Sequence, residues 1–564
     1  MRRRWAPTAL LPEWRTSSVE RTVLAVVHNV TAATRLFDVL PLIATDRRVQ
    51  VVFSCIGSSA FTDGTVEYLT SREVLVLPWK RALRLPADLA VAASLGGPLH
   101  KIRAPIIVLP HGMGYNKYLA RKSEIGNRKS EIGSVFGLSA PWLMRRGRVI
   151  PAVLALSHTE QLDRLRVSCP PALRVARVLG DTCLDRMVAS APLRESYRQS
   201  LGVAASQRLI VVCSTWRAES LYGEDAELIG RLAASLPVDS HRIAVCPHPN
   251  TVHGHSRWQF RSWLDDCRRD GVLVLDNGED WCAAVLAADL VVGDHGSTTA
   301  YAAAIGRPVL LAAAPAHTLD PDSPIARLLR TAPRLDPTDD PLAAVERAIT
   351  EHDPARYADI ATASYPGEGA ARLRDTMYEL LKLQPISPAP TVSVVPAPSV
   401  RFTPPRAVWA TADLDAGPDE LGAVVRRYAA GTTTALAPED AHLVVDVDGP
   451  LTSLLNMADI VVHTHPENAD RWIRETLGAL PGALLATARE PGGWLIGVAG
   501  GPMLRLRTRS VDGPVFASVV HAWLTNGGSV DELPERLVLR AGDQSSSDSR
   551  SSTPTARLAK PRSR

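Results

Sequence analysis

The chain has 564 residues, 46% of them hydrophobic and 22% charged, with a net charge of +4. At roughly 100–200 residues per domain this length calls for about three domains, and the ordinary polar balance excludes a chain that is disordered throughout. So small a net charge excludes a global nucleic-acid-binding surface and leaves any basic function to a local patch.

The seven cysteines are scattered, odd in number and nowhere in CxxC spacing. They argue against a disulfide framework or a structural zinc site and for a reducing cytoplasm. Met1-Arg2-Arg3-Arg4-Trp5 imitates the charged start of a signal peptide, but Glu13, Arg15, Glu20 and Arg21 interrupt the stretch after it. No apolar h-region forms. No run approaches the roughly 20 apolar residues that span a bilayer. A cytoplasmic protein is expected, with any membrane contact peripheral, on the inner face of the plasma membrane.

After an N-terminal arm (1–20), short apolar runs at 23–27, 49–53, 74–77, 89–93, 106–109 and 153–156 alternate with helical stretches. Strands apolar on both faces, separated by amphipathic segments, describe a parallel sheet covered on both sides, a Rossmann-like domain over 21–190. A second set at 209–213, 242–246, 272–275, 290–292 and 309–311 predicts a second Rossmann-like domain over 191–383. The helical stretch 370–383 closes it and is expected to cross back to the first domain. Seven prolines between 384 and 405 mark a semi-rigid linker.

Beyond the linker, a gapless shift of 170 residues lays Leu273-Val274-Leu275-Asp276 on Leu443-Val444-Val445-Asp446, Ala288-Asp289-Leu290-Val291-Val292 on Ala458-Asp459-Ile460-Val461-Val462, and His295 on His465. The region 406–540 is therefore read as a smaller α/β domain, an altered copy of the second. It lacks the second domain's hydroxyl cluster, since Pro466, Glu467 and Asn468 follow His465. The tail 541–564, rich in Ser, Arg and Pro, reads as disordered and basic. Val444-Val445-Asp446-Val447-Asp448 imitates the first motif of haloacid-dehalogenase-type phosphatases, but the repeat explains Asp446 more simply by its match to Asp276.

The strongest chemical constellation is Gly293-Asp294-His295-Gly296-Ser297-Thr298-Thr299, between a strand and a helix. Glycine permits close backbone approach, hydroxyls donate hydrogen bonds, and the following helix offers free N–H groups and its positive end to a phosphate. An ordinary Ser/Thr N-cap is the plain alternative. His248 sits between Pro247 and Pro249 at a strand end, placed to bind a diphosphate oxygen or protonate a leaving phosphate. His111, in Pro110-His111-Gly112, follows the corresponding strand of the first domain and is placed to take a proton from an acceptor hydroxyl. Lys117, Arg121 and Lys122 open a basic loop in which Arg-Lys-Ser-Glu-Ile-Gly is written twice. That loop suits a polyanionic or lipid-linked acceptor or an anionic membrane surface; a solvated charged loop is the alternative.

These motifs, in this order, resemble the CDP-glycerol glycerophosphotransferases of teichoic-acid synthesis. Thr215-Trp216-Arg217 is similar to that family's Pro-Thr-Trp-Arg, Pro110-His111-Gly112 with Lys117 to its His-Gly…Lys loop, and Gly180 with Asp185 to its Gly-x-Pro-Arg-x-Asp. Pro247-His248-Pro249 is similar to its Lys-x-His-Pro, and Asp294 with Ser297 to its Asp-Tyr-Ser-Ser. The resemblance runs over about residues 22–383 and implies a GT-B fold, a pair of facing Rossmann domains. It implies His111 as base on the acceptor, His248, Ser297 and Thr298 holding the donor diphosphate beside Thr215, Asp294 and Thr299, Arg217 on phosphate, and Asp280 on the donor's polar group.

The sequence departs from the pattern at Cys246 for a lysine, Thr182-Cys183 for Pro-Arg, and His295-Gly296 for Tyr-Ser. Two cations are lost where a diphosphate wants countercharge. The expected function is transfer of a glycerol-phosphate, polyol-phosphate or sugar group from a CDP- or UDP-type donor to a hydroxyl in cell-envelope polymer synthesis, without a metal or a resident cofactor. The alternatives are a non-catalytic nucleotide-binding or scaffold protein of the same fold, which the missing cations favour, and a UDP-sugar 2-epimerase, whose acidic cluster is not apparent.

Overall fold

The structure, a computed structural model, describes residues 18–57, 63–119, 134–276, 278–358, 360, 363–417, 419–431, 437–449, 451–508, 513–540 and 554–560. Nearly every residue of β1 (Arg21–Val27), β3 (Leu89–Ala92), β4 (Ile106–Val108) and β7 (Val153–Leu156) is buried, because strands covered by helices on both faces have no solvent side. With β2 (Val49–Cys55) and β8 (Ala176–Val178) they form an all-parallel sheet in the order β2-β1-β3-β4-β7-β8. The run expected at 74–77 contributes only a bridge from Val76 to Phe53 beyond β2. A hairpin, β5 (Met144–Arg145) with β6 (Arg148–Val149), lies outside the sheet.

The second sheet, also all parallel, runs β11-β10-β9-β12-β13, from β9 (Arg208–Cys213), β10 (His241–Cys246), β11 (Leu273–Val274), β12 (Leu290–Gly293) and β13 (Val309–Leu311). In each sheet the order reverses once, between β1 and β3 and between β9 and β12. Those reversals leave crevices at the strands' carboxyl ends. The helix Gly369–Leu381 returns to the first domain as expected: Leu373, Met377, Tyr378 and Leu381 join its core, and Tyr378 donates to Asp46 at 3.0 Å.

Residues 384–405 form neither helix nor strand, as their prolines dictate, yet they are strapped down. Arg186 donates to the Ser393 carbonyl, Tyr197 to the Val395 carbonyl at 2.7 Å, and Arg374 to those of Ser387 and Pro388. Val395 is 3% exposed. The linker is a fixed strap.

The third region keeps part of the expected α/β pattern, with parallel strands at 442–446, 460–463 and 485–490 joined by the helices Thr452–Met457 and Ala469–Ala479, but its sheet closes on itself. It is a closed barrel of nine strands: β14 (Ala407–Ala416), β15 (Glu420–Ala429), β16 (His442–Asp446), β17 (Ile460–His463), β18 (Leu485–Glu490), β19 (Gly493–Val498), β20 (Met503–Arg507), β21 (Arg536–Leu539) and β22 (Thr555–Ala559). The helix Gly513–Thr525, apolar on nearly every side, packs against β14 to β19. A helix with no polar face has to be enclosed, and the barrel encloses it.

Strand β22 corrects a second expectation, for it lies in the tail read as disordered and pairs with β20 and β21. Its Ala556 and Leu558 are buried while Thr555, Arg557 and Ala559 face out, a period-2 pattern hidden by the surrounding Ser and Arg. The repeat itself is local. β16 and β17 are hydrogen-bonded neighbours, whereas β11 and β12 are separated by β10 and β9.

Candidate active site

The carboxyl ends of the two parallel sheets face one cavity of about 490 Å³, within the ordinary size for a small-ligand site. The first domain lines it from β1 (Asn29, Thr31), β3 (Ser94) and β4 (Pro110 to Gly112, Gly114 to Lys117), and the second from β9 (Ser214 to Trp216), β10 (Pro247 to Asn250), β11 (Gly278, Glu279) and β12 (Asp294, Gly296 to Thr299).

On the second-domain wall the helix Ser297–Ala304 starts with Gly296 as N-cap and no side chain capping it. Ser297, Thr298 and Thr299 therefore occupy the first helical turn rather than the cap, so the ordinary Ser/Thr N-cap does not apply. Uncapped N–H groups at a helix start are anion ligands. The Ser297 hydroxyl accepts the Met113 N–H at 3.1 Å across the cleft and keeps its own O–H to donate. The Thr298 side chain lines the cavity, and Thr299 is fully buried with an unpartnered hydroxyl. A Cβ on Gly293 would overlap that hydroxyl, so Gly293 makes room for Thr299 and not for a ligand's approach.

Asp294 lines the cavity with its Oδ1 buried and without a hydrogen-bond partner, and its Oδ2 is held inside the protein. One carboxylate oxygen accepts from the Thr215 N–H (2.7 Å), the Thr215 hydroxyl (3.0 Å) and the Leu221 N–H (3.0 Å), and burial raises its pKa. Asp294 and Thr215 together tie the β9 loop to the β12 loop. That tie sets the shape of the segment, in which Arg217 adopts φ 87°, a left-handed conformation that costs a non-glycine residue about 1 kcal/mol or more. The exposed Arg217 guanidinium lies over the Trp216 ring at 4.3 Å, and Trp216, not Arg217, lines the cavity.

The two histidines have complementary tautomers. His248 Nδ1 accepts the Asn250 N–H at 3.0 Å, which places the proton on Nε2 as a donor. His111 Nδ1 faces the Ala93 carbonyl at 3.2 Å; a carbonyl only accepts, so Nδ1 carries the proton and Nε2 keeps its lone pair. Desolvation at the cavity pushes His248 down to about 3, with Lys117 adding, and lowers His111, whose ring is more exposed, with Arg35 and Lys117 adding, so each is neutral at pH 7. Lys117, on the first-domain loop, lines the cavity; burial lowers it to about 8 against the pull of Asp294.

Lys117 thus faces the cavity from the first-domain wall. Arg121 and Lys122 lie outside the described residues. Asp280 begins the helix Trp281–Ala287, and its neighbours Glu279 and Trp281 line the cavity in its place. Glu279 accepts from Tyr68 at 2.5 Å and pairs with Arg72, both from the first domain. The strand-end rule that found His111, applied to β1, would have found Asn29 and Thr31. Nothing local marks Asn116, whose buried Oδ1 has no partner, or His295, pushed to about 3 by burial. Among the described residues no cluster of three or more metal-ligating side chains occurs, and no helix is long and apolar enough to cross a membrane.

No protein-family profile and no curated protein matches the sequence. Among solved structures the chain is similar to the wall teichoic acid polymerase TagF, at 13% identity and a TM-score of 0.44, over 64% of this chain and 89% of that one. It is similar to Staphylococcus aureus MnaA, in a co-structure with UDP, at 12% identity and a TM-score of 0.40, over 66% of this chain and 100% of that one. The UDP-GlcNAc 2-epimerase of Methanocaldococcus jannaschii, in complex with UDP-GlcNAc and UDP, is similar at 13% identity and a TM-score of 0.40, over 63% and 99% of the two chains.

Proposed function

We propose that this protein is a GT-B-type transferase that passes a glycerol-phosphate, polyol-phosphate or sugar group from a CDP- or UDP-linked donor to a hydroxyl acceptor. The observation that carries this reading is the pair of opposite tautomers, His111 with a free lone pair on one wall and His248 with a free N–H on the other, beside an uncapped helix start. A hydroxyl nucleophile needs an acceptor for its proton, and a departing phosphate needs donors for its charge.

In the reaction, His111 Nε2 takes the acceptor's proton as the acceptor oxygen bonds to the transferred group. The bond from that group to the nucleotide's phosphate oxygen breaks, and the negative charge moves onto that oxygen. His248 Nε2–H, the Ser297 and Thr298 hydroxyls and the N–H groups of the first helical turn receive it. Asp294 and Thr215 act through position, by holding the β9 loop.

Thermal-shift measurements with CDP-glycerol, other CDP- and UDP-linked donors and CMP test the donor site on wild type and His248→Ala. A stabilisation by nucleotide that His248→Ala abolishes is expected. With a donor so identified, His111→Ala should lower turnover by about 10²–10⁴-fold while the nucleotide shift persists. Absence of any nucleotide shift favours the scaffold alternative, consistent with the Thr215 hydroxyl being spent on Asp294.

A further inference from the structure

Four cationic side chains line the cavity: Arg35, Arg72, Lys117 and Arg186. Three of them are spent. Arg35 donates to Tyr301 at 2.8 Å and lies 3.5 Å from Asp181, Arg72 pairs with Glu279, and Arg186 pairs with Asp38 at 2.7 Å. Among the described residues Lys117 has no hydrogen bond or ion pair from its ammonium. It lines the same cavity as His111, His248, Asp294 and the helix start, and its field lowers His248 and His295 and offsets the burial of Asp294.

Lys117 belongs to the first domain but is registered on the second. Lys117 forms a β-bridge with Leu319, the Tyr118 N–H donates to the Thr318 carbonyl at 2.9 Å, and the Asp320 N–H donates to the Asn116 carbonyl at 2.8 Å. Arg164 pins the same junction, donating to the Tyr115 carbonyl at 2.7 Å and to Asp320 at 3.0 Å. An ammonium without a partner in a half-buried position is costly unless a ligand supplies the missing anion.

We propose that Lys117 is the counter-ion of the donor's diphosphate, delivered across the cleft by the first domain in place of cations that the second domain lacks. This rests on the transferase reading above and adds to it a coupling: the donor's charge is neutralised only when the 116–118 and 318–320 segments are paired, so donor binding and domain closure stabilise each other.

Isothermal titration with CDP, UDP, cytidine and uridine, on wild type, Lys117→Met, Lys117→Arg and His248→Ala, tests it, with melting curves to verify folding. Lys117→Met should weaken CDP or UDP by about 10- to 100-fold and leave the nucleosides unchanged, while Lys117→Arg stays within about threefold of wild type. Affinity for the diphosphate should fall as pH rises above about 8 in wild type but not in Lys117→Arg, because only a lysine lowered by burial deprotonates there. Two results overturn the assignment while leaving the donor site standing: Lys117→Met binding CDP and UDP like wild type while His248→Ala does not, or Lys117→Met weakening nucleosides and diphosphates alike. If Lys117→Met does not fold, loss of the diphosphate preference in Lys117→Gln decides instead, and its retention there overturns the assignment. Wild type binding none of the four removes the transferase reading and this inference together.

Discussion

Two stretches of this chain carry nearly the same residues, Ala288-Asp289-Leu290-Val291-Val292 before the cavity and Ala458-Asp459-Ile460-Val461-Val462 in the barrel. Both do the same local work. Asp289 accepts the Leu209 N–H at 2.7 Å and Asp459 the Leu443 N–H at 2.7 Å, each aspartate fastening the start of a strand to its parallel neighbour. The stretches part company just after the strand. The helix Ser297–Ala304 begins on an uncapped glycine facing a cavity, whereas the helix Ala469–Ala479 is capped by Asn468, which accepts the Arg471 N–H at 3.0 Å. A helix start that satisfies itself has nothing left for a ligand. The strand motif is a folding device, and the cap decides whether the site beyond it is open.

The largest expected effect is the response to acid, which both regions share: desolvation lowers His111, His248 and His295 around the cavity, and the barrel holds a histidine pair of its own. His442, at the head of β16, stacks on His521 of the helix Gly513–Thr525 at 4.3 Å and 27°, with Nε2 of the first and Nδ1 of the second buried and unpartnered. Burial, with His521 adding, holds His442 down at about 3; burial lowers His521 too, and Asp459 opposes that. The folded barrel refuses a proton that the unfolded chain takes below about 6.5. Stability is therefore complete above pH 6.5 and lost as pH falls toward 3, by up to about 4 kcal/mol. Urea denaturation across that range should show it, and His442→Phe should reduce the loss in the barrel while the cavity histidines keep theirs. An unchanged slope in the variant would place the acid sensitivity elsewhere.

Next comes the shared aspartate. Asp289 also holds Arg194 at 2.5 Å and the buried Arg198 at 2.7 Å, so Asp289→Asn should cost about 3 kcal/mol. Asp459→Asn, which keeps an amide oxygen for the Leu443 N–H and loses only the charge that strengthens that bond, should cost about 1 kcal/mol or less. Equal shifts in chemical denaturation would mean that the fastening bond, not the ion pairs, dominates both. A comparably small effect on stability, about 1 kcal/mol, is expected from Gly296→Ala, whose Cβ would sit 2.7 Å from the Thr215 methyl that Asp294 holds in place. Its effect on nucleotide titration should be larger than that cost suggests, since the new methyl displaces the loop at the helix start. Wild-type nucleotide affinity in Gly296→Ala would show that this helix start does not contact the ligand.

The two parallel sheets were legible in the residues because each strand is short, apolar on both faces and separated by amphipathic helices, a pattern written within single segments. His111, His248, Ser297 and Thr298 were legible for the same reason, as polar residues at the ends of such strands. The barrel was not. Strands β16 and β17 read like members of a second parallel sheet, and only pairing with β14, β18 and their neighbours closed them around the helix Gly513–Thr525. Closure is a relation between distant segments, and β22 shows it best, a five-residue strand in a Ser-rich tail.

Within the site, the sequence alone determined which residue types stand at which strand ends. Tertiary structure decided what each is free to do. Thr215 is spent on one oxygen of Asp294 while the other oxygen has no partner, Gly293 serves Thr299, Arg72 is answered by Glu279, and Lys117, from a loop that reads as a basic acceptor or membrane contact, stands inside the cavity without a partner among the described residues. The physical reason is that hydrogen bonds and ion pairs are made in space by groups far apart in the chain, so residue type sets the chemistry a side chain has and packing sets how much of it remains for a ligand.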